Sequence, residues 1–238
     1  MFGIVGGLGP RATVEFYSAF MDAITSKVAG RLPRLIMYSV AMSPQLENTF
    51  LQGKVDDNAP QRLQVRSLLN EAVDHFLANQ VTTVAMPCNT LQDELTTLCK
   101  ARGLAIINMI DETANAILQK YAKRVLILGT ASTYGDDLYG QRLALHGVEC
   151  IYPTAKQQDF IETYIRFALD QKLNQAAKDR FAENIRHIAG EADAIVLACT
   201  DLTGDVSTES CGLPVFDSLQ LLATASAAHV LARDELFI

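Results

Sequence analysis

Apolar and polar positions along the chain alternate between two periods. Short β-branched runs are followed by longer stretches in which apolar residues return every three or four positions. Residues 2–6 read as a strand and 10–27 as the helix after it. Pro10 suits a first helical position, where its missing N–H costs nothing. A second strand is expected at 35–40, then a polar loop. A helix follows near 59–78, with Leu63, Leu68, Leu69, Val73 and Phe76 as its apolar positions. A strand at 82–86 leads into a helix at 90–100, and a fourth strand falls at 105–107. The pattern then restarts with a helix at 111–121, a strand at 124–128, a helix at 134–145 and a strand at 148–151. Helices near 157–168 and 174–189 precede a strand at 194–198. A short strand at 214–216 leads into a last helix from 217 to about 232. This alternation predicts an α/β protein with parallel sheets covered by helices.

Two features occur twice. Gly3-Ile-Val-Gly-Gly-Leu-Gly-Pro is similar to Val125-Leu-Ile-Leu-Gly-Thr-Ala-Ser. Each is an apolar strand ending at glycine, then a small-residue loop, then a helix. Val84-Ala-Met-Pro-Cys-Asn-Thr is similar to Val196-Leu-Ala-Cys-Thr-Asp. Each ends an apolar strand on a cysteine with a threonine within two positions. We read two similar α/β halves facing each other. The first is expected to span 1–110 plus 214–238, and the second 111–213. Ligands of such sheets sit beyond the carboxyl ends of the strands. Cys88 and Cys199 should therefore point into one cleft.

Composition narrows the function classes. The chain has 238 residues, 49% of them hydrophobic and 20% charged, which suits a filled core and argues against disorder. The formal net charge is −7 and no basic cluster is dense, so a nucleic-acid partner is not expected. No apolar run reaches the ~20 residues of a membrane span. The first residues lack the basic region of a signal peptide, and their apolar run breaks at Gly6-Gly7. Five cysteines without framework spacing point to a reducing, cytoplasmic setting. Neither HExxH nor CxxC occurs, and His75, His146, His187 and His229 are scattered over helical patterns, so no metal is expected. Gly6-Gly-Leu-Gly-Pro does not match GxGxxG, and there is no Walker A motif, so a nucleotide cofactor is not expected either.

Two opposed thiols have a specific use. A racemase removes a proton from one face of a carbon and returns one to the other. A thiol suits this because its ordinary pKa, ~8.5, is near the working range. A helix N-terminus can lower it to ~3.5–7.5, and both cysteines sit where a strand hands over to a helix. Proton removal builds charge on the adjacent carboxylate, which fixed donors must hold. Asn89, Thr90, Thr200 and the loops at Gly6–Gly9 and Thr130–Thr133 carry suitable groups, and backbone N–H groups there favour an anion. A lone cysteine at a strand end is commonly a small buried hydrophobe, and Cys99, Cys150 and Cys211 read that way. Thr130 and Thr133 could equally be capping groups. Two cysteines at equivalent points of a duplicated pattern are better read as chemistry.

With these residues in place, the chain resembles the aspartate/glutamate racemase family, the cofactor-independent two-cysteine amino-acid racemases. The resemblance rests on Gly6-Gly-Leu-Gly-Pro-Arg-Ala-Thr13, Pro87-Cys-Asn-Thr90, Leu128-Gly-Thr-Ala-Ser-Thr133, Cys199-Thr-Asp201 and Leu213-Pro-Val-Phe-Asp217. It implies two α/β domains related by a pseudo-twofold, with the active site in the cleft between them. It also implies Cys88 and Cys199 as the catalytic bases, no cofactor, an amino-acid substrate and a homodimer. Substrate contacts are implied from Gly7, Leu8, Gly9, Asn89, Thr90, Thr130, Thr133, Thr200 and Asp201. The final helix would pack back on the N-terminal half.

The chain departs from the family in ways that bear on the substrate. Leu91-Gln92 stands where Ala-His is usual, and Asp201 where Glu is usual. Members acting on aspartate carry an arginine in the loop after the second strand. The matching stretch, Ser43-Pro-Gln-Leu-Glu-Asn-Thr49, has no basic residue and offers Glu47, Asn48 and Thr49 instead. The usual lysine of the second half is matched by Gln158-Asp-Phe160, with Lys156 the nearest cation. The expected substrate is therefore an amino acid with a neutral or basic side chain. Rival readings are a related isomerase, a decarboxylase, which needs only one thiol, and a non-catalytic amino-acid-binding protein, which needs neither.

Overall fold

The computed structural model describes residues 1–28, 30–53, 55–169, 172–233 and 236–237. In chain order the elements are β1 (Phe2–Gly6), α1 (Pro10–Thr25), β2 (Leu32–Pro33), β3 (Leu35–Ser39), α2 (Pro44–Leu51), α3 (Pro60–Ala78), β4 (Thr83–Ala85) and α4 (Gln92–Arg102). Next come β5 (Ala105–Ile107), α5 (Met109–Gln119), β6 (Arg124–Leu128), α6 (Ala131–Gly135), α7 (Gly140–Ala144), β7 (Glu149–Ile151), α8 (Ala155–Leu169) and α9 (Gln175–Ala189). The chain ends with β8 (Ala194–Leu197), a 3-10 turn at Thr200–Leu202, α10 (Thr208–Cys211), β9 (Val215–Asp217), α11 (Ser218–Ala232) and β10 (Leu236–Phe237). Among the described residues no helix is long and apolar enough to cross a membrane.

Two four-stranded sheets are built to one plan. The first has the order β3-β1-β4-β5 and the second β7-β6-β8-β9. All pairings within them are parallel. By position, β1 corresponds to β6, β3 to β7, β4 to β8 and β5 to β9. Every residue of the inner strands β1, β4 and β8 is buried. That is why they read as near-continuous apolar runs rather than alternating ones. Each sheet has a core on both faces. Phe76, Leu69 and Leu95 cover one face of the first sheet, and Phe16, Phe20 and Leu222 the other. Ile161, Phe181 and Ile185 cover one face of the second sheet, and Ile117, Tyr139 and Leu143 the other.

The two helices after the fourth strands change sides. Asn108 caps α5, its side chain accepting from Ile110 N and Asp111 N. Asp217 caps α11 in the same way through Leu219 N and Gln220 N. Such caps are worth ~1 kcal/mol each. From there α5 sends Ile110, Ala114 and Ile117 into the core of the second sheet. Conversely, α11 sends Leu219, Leu222, Ala223, Ala227 and Val230 into that of the first. It packs on α1 and on α5, and it is apolar nearly all round because both of these cover it.

Three expectations need correction. The stretch after β3 is not a polar loop throughout, because it contains α2. Its start is coded by Ser43, whose hydroxyl accepts from Leu46 N at 3.2 Å, and by Pro44 at the first position. The helix expected at 134–145 is two short helices. Asp137 takes a left-handed φ of 48° between them, and Gly140 approaches its carboxylate too closely for any side chain. The last strand pairs with β8, so the second sheet runs on to Asp217, past the expected boundary at 213. Residues 234, 235 and 238 of the returning segment lie outside the described residues.

Candidate active site

The carboxyl ends of β1, β4, β6 and β8 open on one cleft. Its lining includes Leu8, Gly9, Met42, Glu47, Phe50, Cys88, Asn89, Thr90, Leu91, Thr130, Ala198, Cys199, Thr200 and Asp201. It holds about 510 Å³ of empty space, part of it open to solvent. Cys88 and Cys199 are brought together there from equivalent strands of the two halves. Each thiol feels the other, since charge on Cys88 pushes Cys199 up.

Close packing shapes the loops behind the thiols. Gly7 N donates to Thr13 Oγ1 at 3.0 Å, and that hydroxyl donates to Gly9 O at 3.2 Å. This folds the β1–α1 loop back on its own helix. The second half repeats the device, with the Thr133 hydroxyl lying against Gly129 and 3.4 Å from the Thr130 hydroxyl. From outside, α2 closes the cleft. The Ser132 hydroxyl donates to the carbonyls of Phe50 and Gly53, which ties the segment after α2 to the second half.

Electrostatics run against the expectation of acidic thiols. Cys88 opens onto the cleft, yet the protein around it pushes its thiol up to about 11. The N–H groups of Leu91 and Thr90 oppose this, while the charges of Glu47 and Asp201 add to it. Burial also pushes Cys199 well above the usual thiol range, with Asp201 next. Its Sγ donates to Asp201 Oδ2 at 3.8 Å. The loss of solvation therefore outweighs the helix-terminus effect.

Both carboxylates are perturbed too. Burial, then the charge of Glu47, raises Asp201 to about 6, with Arg11 acting against them. Burial raises Glu47, and the Gly9 N–H opposes it. Between about pH 4 and pH 6 the folded chain holds a proton on Asp201 that the unfolded chain has released. Stability therefore falls as pH rises through that window. Asp201→Asn is expected to raise stability at pH 7.5 by about 1–3 kcal/mol and to change it little at pH 4. Urea unfolding at the two pH values checks this, and a pH-independent effect would contradict it.

Most residues marked in the sequence meet in the cleft, and four do not line it. Gly7 lies behind it, where a Cβ would come 2.5 Å from Val40 O. Asn48 lines a neighbouring hollow with Gln52, Glu162 and Arg166. The Thr49 hydroxyl bonds back to Gln45 O in its own helix. Thr133 is buried against Gly129. Asn89 lines the cleft, but its amide is bonded to Tyr139 and Ser218. Gln158, in the place of the usual lysine, donates to Gly129 O and Glu162. Met42, Phe50, Leu91 and Ala198 were not marked in the sequence. For the first two the available signal was the Ser43-Pro44 helix start, which carries α2 to the cleft.

With this geometry in view, the chain can be set beside known proteins. The model of the family described as Asp/Glu/Hydantoin racemase matches residues 5–226. The broad specificity amino-acid racemase RacX of Bacillus subtilis is 25% identical over 237 residues, covering 98% of this chain and 99% of the relative. Among solved structures, an aspartate racemase homologue from Pyrococcus horikoshii superposes with a TM-score of 0.79 at 22% identity, over 97% of this chain and 98% of the other. The Picrophilus torridus aspartate racemase gives 0.74 at 23% identity, over 96% and 93%. These two likenesses speak for the fold, and the family match reaches from β1 into α11. The chain belongs to the Asp/Glu/hydantoin racemase family and is an isomerase of the amino-acid racemase type.

Proposed function

We propose that the protein racemises an amino acid without a cofactor, by proton transfer at Cα between Cys88 and Cys199. The observation that carries this reading is the meeting of both thiols in one cleft, each at the end of the third strand of its half. One thiolate removes the Cα proton, and the opposite thiol delivers its own to the other face. The two then differ from their starting state only by which one holds the proton. The N–H groups of Thr90 and Leu91 favour charge on Cys88, and Asp201 is the acceptor bonded to Cys199.

The side-chain preference we propose is neutral or basic. Glu47 and Asp201 line the cleft, and no Lys, Arg or His is among its described lining residues. An acidic side chain would bring a further negative charge into a desolvated space. A cationic substrate would instead offset the two charges that push the thiols up. Lysine or arginine should exceed aspartate in kcat/KM by roughly 100-fold, given a like-charge cost of several kcal/mol. The experiment is α-proton exchange in D2O, followed by NMR, with both enantiomers of acidic, neutral and basic amino acids. Turnover of aspartate above all others would overturn the preference, and no exchange with any member would overturn the racemase reading.

The domain division we propose follows the sheets, with α11 returning to the first half. Five free cysteines support a reducing, cytoplasmic setting. The homodimer is likewise part of this reading, and the exposed Val14 and Tyr17 on the outer face of α1 are compatible with it.

A further inference from the structure

Asn89 directly follows Cys88, and its side chain enters a buried network. Its Oδ1 accepts from Tyr139 Oη at 2.6 Å, and its Nδ2 donates to Ser218 Oγ at 3.0 Å. Ser218 Oγ donates in turn to Leu197 O at 2.7 Å. Leu197 closes β8, two residues before Cys199. Hydrogen bonds thus run from the neighbour of one thiol to the strand that carries the other. Asn89 is 4% exposed, and Tyr139 and Ser218 are wholly buried. Water cannot replace a missing partner at such depth, so each lost bond leaves a buried polar atom unsatisfied.

Inversion at one carbon needs both thiols in reach of it, from opposite sides, at the same time. A small change in their separation spoils inversion, while either thiol alone can still exchange a proton on its own side. We propose that Tyr139 and Ser218 are positioning residues, which set the separation of Cys88 and Cys199 through Asn89. This inference rests on the two-cysteine racemase reading. Neither residue was marked by the sequence, and neither lines the cleft among its described residues.

The test compares Tyr139→Phe and Ser218→Ala with wild type and with Ser207→Ala, which loses the capping box of α10 far from the thiols. For each protein, deuterium uptake at Cα with retained configuration and inversion in D2O are measured on the best substrate of the amino-acid panel. Both network variants should lose roughly 10–100-fold in the kcat of inversion, with KM within about twofold. Exchange with retention should fall less, so the ratio of exchange to inversion rises. Ser207→Ala, a merely destabilising change, should leave that ratio at the wild-type value. Should Tyr139→Phe fail to fold, Ser218→Ala carries the same test. Inversion by wild type with an unmoved ratio in the variants overturns this inference alone. Wild type that neither exchanges nor inverts any amino acid overturns the racemase reading, and this inference with it.

Discussion

Cys88→Ala and Cys199→Ala are each expected to lower racemisation by roughly 10²–10⁴-fold, the usual contribution of a positioned acid or base. The two losses should differ in kind. With Cys88 removed, Cys199 still faces one side of the substrate carbon. It can take the proton from one enantiomer and return deuterium to the same face. With Cys199 removed, the other enantiomer should be the one that exchanges. Polarimetry reads inversion, and NMR in D2O reads exchange for each enantiomer separately. Inversion within about tenfold of wild type in either variant would refute the two-base assignment. Folding should survive both changes, because a thiol at the cleft wall gives way to a methyl group of smaller size without stranding a polar atom.

Gly7→Ala is expected to cost about 2–5 kcal/mol of stability, from left-handed backbone strain plus overpacking. Gly7 has φ of 86°, a conformation that side chains disfavour. An added Cβ would also lie 2.5 Å from Val40 O and 2.8 Å from Val40 N. Those are backbone atoms at the end of β3, which cannot swing aside. Val40 N donates to Gly6 O at 2.8 Å, so the strain would open the join between β1 and β3. Leu8 and Gly9 would shift with it, and both line the cleft. Denaturant midpoints check the stability loss. A cost below about 1 kcal/mol would show that the loop can relax.

The fold was legible where burial is uniform. β1, β6 and β8 are apolar runs because helices cover both sides of each sheet, and the sequence marks them to within a residue. It was less legible where a single residue outweighs a pattern. The apolar spacing over 134–145 continues through Asp137, but the left-handed φ there divides the helix. α2 was missed because it exposes most of its length and therefore lacks a wide apolar stripe. With α2 went Met42 and Phe50, whose place in the cleft depends on contacts across the halves. The thiol pair was legible because it is duplicated. Its acidity was not, since solvation loss depends on everything that surrounds Cys88 and Cys199 and on nothing adjacent in sequence. The same holds for Tyr139 and Ser218, which meet Asn89 only after the halves close.

The crossing of α11 imposes an order on synthesis. The face of α1 that carries Phe16, Phe20 and Ile24 is covered by Leu219, Leu222 and Val230, which are made last. At ~5–20 residues per second, β5 is followed by α11 only after roughly 6–25 s. For that interval the growing chain shows a stripe of aromatic surface with no partner yet translated. A nascent-chain chaperone has that stripe to shield, and a message truncated before Ser218 yields a chain that never leaves this state.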